Sequence, residues 1–331
     1  MQSYQVFEMF ACPEVVGLDD KGRCVVLASY SGTWTPYEAV FDVRWLGGLA
    51  QADVDPRIEG KEIYTGGQRG NLYQIVSYPF GALDCRLIGH LQGMEIHTIL
   101  AGELDPATRG SEVLVFTNPG ALYRFTPTGP NGTFVHDLVR ELEGRVRDAL
   151  VLPSTDVAAP EIPTVSRAGR LELLRFTPAG PVSTTVHEAP MGMGRIALRP
   201  PRPQRATVLY TTLDDGCVMR HERLDANRWT SEAIFLGPQG PRGLAAGQFN
   251  EDEEVETVAV FGYSKKVQLL TRHPEGWSLE TIFEDRDKGH WLAAAELDGR
   301  NATQELLASG YGGRIVLLSR PPGYGMKALR E

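Results

Sequence analysis

The chain has 331 residues, a formal net charge of −9 at pH 7 and 42% hydrophobic residues. With 23% charged residues, this composition is typical of a folded protein and excludes a disordered chain. The acidic balance contains no block of Lys or Arg, which argues against nucleic acid as a partner, and no apolar run is long enough for a transmembrane helix.

Short apolar runs recur along the chain, separated by Gly and Pro, in a repeat of roughly 48 residues. Four copies, which begin at Gly47, His97, Arg242 and His290, keep one spacing between the first and second predicted strands. Two copies with a shorter first turn begin at Asp148 and Arg195, and PEVVGLDD near the N-terminus starts the seventh. The predicted blades span residues 12–43, 45–92, 95–143, 146–189, 193–237, 241–285 and 289–319, with residues 3–10 added to the last.

These repeats predict an all-β fold, a seven-bladed β-propeller that forms a single domain over residues 1–331. The last copy stops after its third strand at Leu318, while an extra apolar run, Tyr4–Phe10, opens the chain. We expect this N-terminal strand to complete the last blade and close the ring.

The pattern A-x-E/D-φ-D…E-φ-φ, at Ala101–Val113 and Ala294–Leu306, resembles the FG-GAP/VCBS-type propeller repeat. That resemblance implies a calcium loop after the first strand. The loops of this chain lack the regular series of oxygen ligands, and Asp53 with Asp55 is the best remaining candidate. The run GHWLAAAELDG also resembles the propeller domains of sugar-dehydrating lyases such as aldos-2-ulose dehydratase.

Equivalent positions of a propeller repeat lie on one ring around the axis, so the alignment predicts a site. The residues that open the first strands, expected at the mouth of the central channel, are Glu14, Gly47, His97, Asp148, Arg195, Arg242 and His290. The equivalent residues in the turn from the second to the third strand are Tyr30, Gln68, Asn118, Arg167, Asp214, Tyr263 and Tyr311.

Imidazole and phenol groups transfer protons, while guanidinium groups hold carboxylate, phosphate or enolate oxygens. The predicted catalytic residues are His97, His290, Tyr263, Tyr311 and Tyr30. The predicted substrate-binding residues are Asp148, Arg195, Arg242, Arg167, Gln68, Asn118 and Glu14. A divalent metal held by His97 and His290 with Asp148 or Glu14 is a further possibility, and a solvated polar surface is the alternative.

Two functions follow from this set. The first is a lyase, dehydratase, isomerase or cyclase that acts by acid–base chemistry on a polar small molecule. The alternative is a non-catalytic propeller that binds a peptide, glycan or protein partner. We expect a cytoplasmic protein, a monomer or weak oligomer, with no membrane and no nucleic-acid partner, because the N-terminus lacks a signal peptide and the four cysteines form no CxxC.

Overall fold

The computed structural model describes residues 1–6, 13–30, 33–78, 81–128, 132–153, 160–297, 303–320 and 327–330. Every regular element in these ranges is a β-strand, and the strands form seven four-stranded antiparallel sheets. The predicted all-β, seven-bladed architecture is confirmed. These ranges contain no helix long and apolar enough to cross a membrane.

The contacts within the chain divide it into two compact units, Met1–Ala168 with Glu172–Thr185 and Gly169–Leu171 with Val186–Glu331. The first unit holds the first three blades and most of the fourth. Their strands are β1 (Gln2–Tyr4), β2 (Glu14–Leu18), β3 (Arg23–Tyr30), β4 (Thr33–Phe41), β5 (Leu46–Ala52), β6 (Glu62–Gly67), β7 (Asn71–Ser77), β8 (Leu83–His90), β9 (Glu95–Gly102), β10 (Glu112–Asn118), β11 (Ala121–Thr128), β12 (Thr133–Glu141), β13 (Val146–Ala149), β14 (Glu161–Ser166), β15 (Arg170–Thr177) and β16 (Gly180–Glu188).

The second unit holds the last three blades. Their strands are β17 (Met193–Leu198), β18 (Val208–Leu213), β19 (Cys217–Arg223), β20 (Trp229–Leu236), β21 (Pro241–Ala246), β22 (Thr257–Gly262), β23 (Lys266–His273), β24 (Gly276–Glu284), β25 (Gly289–Ala295), β26 (Glu305–Gly310), β27 (Ile315–Ser319) and β28 (Lys327–Arg330).

Each sheet consists of four consecutive strands, so the predicted closure by the N-terminal strand is wrong. The strand β1 pairs with β2 in the first blade, where Gln2 lies opposite Val16. The seventh blade is completed by β28, in which Arg330 lies opposite Leu317. The run PEVVGLDD contains the second strand of the first blade rather than its first strand, and Val16 is fully buried there. Residues 7–10 of the predicted closing strand lie outside the described residues.

The second strands are the most buried of each blade and form the cores between neighbouring sheets. In the second unit, Ala259 and Phe261 of β22 pack in one cluster with Leu306 of β26 and Val316 of β27. In the first unit, Tyr64 of β6 packs in a cluster with strands of the third blade. Strands that are buried on both faces read as continuous apolar runs, which is why the repeat was visible in the sequence.

A buried glutamate at the start of the second strand explains the E of the repeat pattern. Glu62 Oε2 accepts a hydrogen bond from the backbone N–H of Val54 at 3.0 Å. In the same way Glu305 Oε2 accepts from the N–H of Leu297 at 2.7 Å. The carboxylate thus satisfies backbone donors of the turn that leads out of the first strand. This position is structural in each blade that has it.

Candidate functional site

One end of the blades carries a recurrent irregularity, and we call it the bulge end. There the first strand begins and the second strand turns into the third. In the last blade Gly289 pairs with Gly310 and Trp291 with Ser309, so His290 is an extra residue between two paired ones. Such a β-bulge re-aims the side chain of the extra residue. The register of pairing between the first and second strands shifts at this place in blades two to seven.

The position of the bulge shows where the predicted alignment of the shorter copies differs from the structure. Gly47, His97 and Arg242 are the extra residues of their blades, as His290 is in the last. In the fourth blade the extra residue is Arg147, and the predicted Asp148 pairs with Val165 one position later. In the fifth blade the interruption spans both Gly194 and the predicted Arg195.

Two predicted site residues lie at the other end of the first blade. Glu14 opens β2 rather than the first strand, is fully buried and accepts a hydrogen bond from the N–H of Val6 at 2.7 Å. Tyr30 is the last residue of β3, at the turn into β4. Since neighbouring strands are antiparallel, both positions are remote from the bulge end, and assigning them to it was wrong.

Five of the predicted residues come together within the second unit. They are joined there by two side chains that the alignment did not select, Lys288 and Trp291. We call the set the arginine–tyrosine cluster; it comprises Arg195, Arg242, Tyr263, Lys288, His290, Trp291 and Tyr311.

The first strands of the fifth and sixth blades supply the two guanidinium groups of the cluster, and the first strand of the seventh supplies Trp291. The Arg195 Cζ lies 3.9 Å from the centre of the Trp291 ring, a cation–π contact. The Nε of Arg195 also donates a hydrogen bond of 2.9 Å to the backbone carbonyl of Arg242. These two contacts fix the position of Arg195 relative to the neighbouring first strands, β21 and β25.

The turns between second and third strands supply the phenols. The ring of Tyr311 lies 4.7 Å from that of His290 and 6.5 Å from that of Tyr263, measured between centroids. The Nζ of Lys288 lies 4.7 Å from the centre of the Tyr263 ring. Tyr263 and Tyr311 are 37% and 47% exposed, so part of each side chain is open to solvent.

The cations of the cluster change the proton affinity of its other groups. Burial, together with the Arg195 and Arg242 guanidiniums, lowers the pKa of His290 to about 4. Partial burial acts to raise the pKa of Tyr263, but hydrogen bonds from Arg242 and Tyr311 and the charges of Arg242 and Lys288 lower it overall. At neutral pH the site therefore holds a neutral imidazole and a phenol that ionises more readily than usual.

One donor of the cluster lacks a partner. The Nε of Arg242 is buried and makes no hydrogen bond within the part of the chain that the structure describes. A buried donor without an acceptor is costly, and a bound water or a ligand can satisfy it. Nine other buried side-chain atoms of the described residues also lack a partner, so this atom by itself does not identify a ligand site.

In the first unit, His97 lies in a separate group of contacts. Its ring centroid is 4.7 Å from that of Trp45, and its Nε2 is 3.4 Å from the Glu95 Oε2. Asn118 Nδ2 donates a 2.8 Å hydrogen bond to the same oxygen. Glu95 was missed in the sequence. Its place two residues before His97 on one strand is the signal that could have found it.

The other predicted residues make contacts of an ordinary kind. The backbone N–H of the exposed Gln68 donates to the carbonyl of Trp45, and the N–H of the exposed Arg167 donates to that of Arg145. A carboxylate oxygen of Asp148 accepts from the N–H of Ala149. These contacts fix the turns and do not identify a ligand.

The structure gives no support to a metal site. Among the described residues, no three His, Cys, Asp or Glu side chains are placed to hold a metal ion together. The set of His97 and His290 with Asp148 or Glu14 is therefore not assembled. Of the calcium candidates, Asp55 is buried and accepts hydrogen bonds from the Arg57 side chain, while Asp53 is exposed. The carboxylate of Asp55 thus pairs with the Arg57 guanidinium rather than with the calcium ion that the resemblance implies.

Comparisons with solved structures identify the fold. The BP39L lectin from Burkholderia pseudomallei superimposes with a TM-score of 0.71 at 14% identity, over 99% of this chain and 98% of the lectin. The β-propeller domain of Cps50 (Swd1) from Myceliophteria thermophila gives a TM-score of 0.60 at 11% identity, over 92% and 91%. BBS1N, crystallised in complex with ARL6DN, gives 0.64 at 11% identity, over 98% and 92%.

No family model matches the sequence, and no curated protein matches it either. The resemblances to the FG-GAP/VCBS-type repeat and to sugar-dehydrating lyases are not confirmed. At these identities the structural likenesses show the fold alone: the chain is a seven-bladed β-propeller.

Proposed function

We propose that this propeller is a binding protein whose arginine–tyrosine cluster takes an anionic ligand, with an acidic sugar as the best-fitting class. The observation that carries the proposal is the convergence of three cationic side chains on partly exposed aromatic rings: Arg195 lies over Trp291, and Arg242 and Lys288 lie beside Tyr263. A carboxylate is the natural acceptor, because guanidinium groups bind its two oxygens through paired N–H donors.

The charges of the cluster favour an anion. Arg195, Arg242 and Lys288 carry positive charges, and the two guanidiniums are the charged side chains of this unit that depress the pKa of His290. Because burial keeps that imidazole neutral at pH 7, it presents both a donor and an acceptor nitrogen to a hydroxyl group.

The aromatic rings favour a sugar over a simple anion. Tyr263 and Tyr311 are partly exposed, and such rings pack against apolar C–H faces while their hydroxyls bind polar groups. The likeness to a lectin agrees with this class of ligand. The predicted alternative of a glycan-binding propeller thus has more support than the predicted enzyme.

The test uses a charged sugar and its neutral counterpart. We expect methyl β-glucuronide to bind the full chain in isothermal titration calorimetry, and methyl β-glucoside to bind much more weakly. Arg242→Gln should weaken the binding of the glucuronide by about tenfold or more, because one charged hydrogen bond is lost. The matched control is Arg86→Gln, an exposed arginine of β8 that pairs with Asp84 at 3.0 Å.

Equal affinity of wild type and Arg242→Gln for the glucuronide would contradict the proposal. So would equal binding of the charged and the neutral sugar, since the guanidinium would then have no part in recognition.

A second candidate is the predicted lyase, dehydratase, isomerase or cyclase, and the lowered pKa of Tyr263 favours it. In this reaction the Tyr263 phenolate takes the proton from the carbon beside a carboxylate that Arg242 holds. The C–H electron pair forms a double bond, and the substituent on the next carbon leaves. Incubation with polygalacturonate should then release an unsaturated product, and Tyr263→Phe should slow its release about 10²-fold. Absence of that product would leave binding as the function.

A further inference from the structure

A cavity of about 620 Å³ lies in the second unit, at the end of the fifth and sixth blades away from the bulge end. The strand β17 separates the two places, because Arg195 lies near its start and Arg199 follows its end. Six of the cavity's lining residues carry the argument: Arg199, Arg205, Arg220, Glu254, Glu256 and Arg272.

Three guanidinium groups surround one buried carboxylate in this cavity. Arg220 Nε donates to Glu256 Oε1 at 2.7 Å. Arg199 Nη1 and Arg272 Nη1 approach the other oxygen at 3.3 and 3.2 Å. The Tyr210 hydroxyl also donates to this carboxylate. Both oxygens of Glu256 are thus fully used. Arg220 also pairs with Glu222 at 2.8 Å and approaches Glu232 at 3.4 Å, so its own charge is balanced within the protein.

Arg272 has donors to spare. Its side chain is 44% exposed, and Nη1 is its one nitrogen with a hydrogen bond within the described residues. A guanidinium has five N–H donors in a fixed planar arrangement, so most of those of Arg272 remain for a ligand.

An ion pair at the rim of the cavity resembles the interaction that a ligand would make. Arg205 pairs with Glu254, and Arg202 approaches the same carboxylate at 3.3 Å. Glu254 is 65% exposed, so little burial holds it there. The carboxylate of an incoming ligand can replace it, since exposed ion pairs contribute little to stability.

We propose that this cavity is a second binding site, for a small ligand that bears a carboxylate or a phosphate group. Its volume lies in the range of about 300–1,000 Å³ that is usual for small-molecule sites. Among the described residues that line it there is no Phe, Tyr or Trp, so they do not offer the stacking that favours a sugar at the arginine–tyrosine cluster. A compact anion fits this lining, and the site is independent of the function proposed above.

The experiment titrates the full chain with inorganic phosphate and, separately, with succinate, at constant ionic strength set by chloride. We expect Arg272→Gln and Arg205→Gln each to weaken binding by about tenfold. Glu254→Gln, which removes the competing charge, should tighten it about threefold. Arg228→Gln is the matched control, because this arginine is 74% exposed and pairs with Asp225 in the turn after β19.

Binding that Arg272→Gln and Arg205→Gln both weaken supports the site. Such binding of phosphate alone identifies a phosphate-bearing ligand, and such binding of succinate alone identifies a carboxylate. The proposal is overturned if neither probe binds, or if Arg272→Gln and Arg205→Gln bind as wild type does. Circular dichroism of each variant checks that the fold is retained.

Discussion

At the scale of single residues, His290 shows how burial and neighbouring charge act together on one imidazole. Its pKa is about 4 rather than 6.5, so the folded protein favours the neutral ring. The contribution of this group to stability is complete above about pH 6.5 and is lost as the pH falls towards 4.

We therefore expect the NMR signals of His290 to show no titration between about pH 5.5 and 8, where an unperturbed histidine changes charge. Removal of a nearby positive charge in Arg195→Gln should raise the midpoint. The measurement is the pH dependence of ring chemical shifts in histidine-labelled protein, assigned by comparison with His290→Gln. A wild-type midpoint near 6.5 would contradict the electrostatic picture.

Glu112 presents the opposite case, a carboxyl whose pKa burial raises to about 7. Its Oε1 accepts a 3.0 Å hydrogen bond from the N–H of Leu104, while its Oε2 is buried without a partner in the described residues. The folded state favours the protonated form, so stability is complete below about pH 4.5 and is lost as the pH rises through 7.

The neutral isostere Glu112→Gln should be free of this loss. We expect the difference in free energy of unfolding, Glu112→Gln minus wild type, to increase by up to about 1.4 kcal/mol per pH unit between pH 5 and 7. Urea unfolding of both proteins at several pH values measures the difference. A difference that does not change with pH would show that the carboxyl is ionised throughout.

At the scale of strands, the last blade depends on β28 for its outer edge. Three residues of β27, Leu317 to Ser319, pair with it. Deletion of residues 327–331 leaves these backbone groups without a neighbouring strand. At about 1 kcal/mol for each hydrogen bond lost, the expected cost is about 2–4 kcal/mol, seen as a melting temperature lower by several degrees.

Thermal unfolding followed by circular dichroism tests this expectation. The control is removal of Glu331 alone, which follows β28 in the sequence. An unchanged melting temperature after the longer deletion would show that the strand contributes nothing to the blade.

The sequence predicted strands well where spacing was strict. In the four regular copies it also found the extra residue of the bulge, at Gly47, His97, Arg242 and His290. It failed by one residue at Asp148, where the first turn is shorter and the bulge depends on pairing with a strand far away in sequence. Glu14 was misplaced because a buried second strand and a buried first strand have the same apolar pattern.

The site was predictable in part for the same reason. Register brought Arg195, Arg242 and Tyr263 into one cluster, but it did not select Lys288 or Trp291. Lys288 and Trp291 lie two positions and one position from the predicted His290. Their contacts with Tyr263 and Arg195 depend on how twisted strands from neighbouring blades approach one another.

At the scale of the whole molecule, the outer strands are the exposed edges of the sheets. Several carry exposed apolar residues, such as Leu87, Leu138, Leu236 and Leu279. In at least six blades, however, the pairing of the third and fourth strands is interrupted by a shift of register. Bulged edges pair poorly with the edge of another molecule.

We accordingly expect a monomer. Size-exclusion chromatography with light scattering should give the mass of one chain at all concentrations up to the millimolar range. A mass that rises with concentration towards that of a dimer would show that the apolar residues of the outer strands associate in spite of the bulges.

The bulge has a consequence for how such a protein diversifies. An extra residue takes no part in the hydrogen-bonded ladder, so exchange of its side chain leaves the ladder in place. At Gly47 a new side chain would also require Trp45 to move, because an added Cβ would lie 2.7 Å from the Trp45 ring. Blades two, three, six and seven already hold glycine, histidine, arginine and histidine at that point. Each blade is also an uninterrupted stretch of chain, so a single point mutation can give it a new recognition group. Ligand preference can thus evolve one blade at a time, while the scaffold that carries it stays the same.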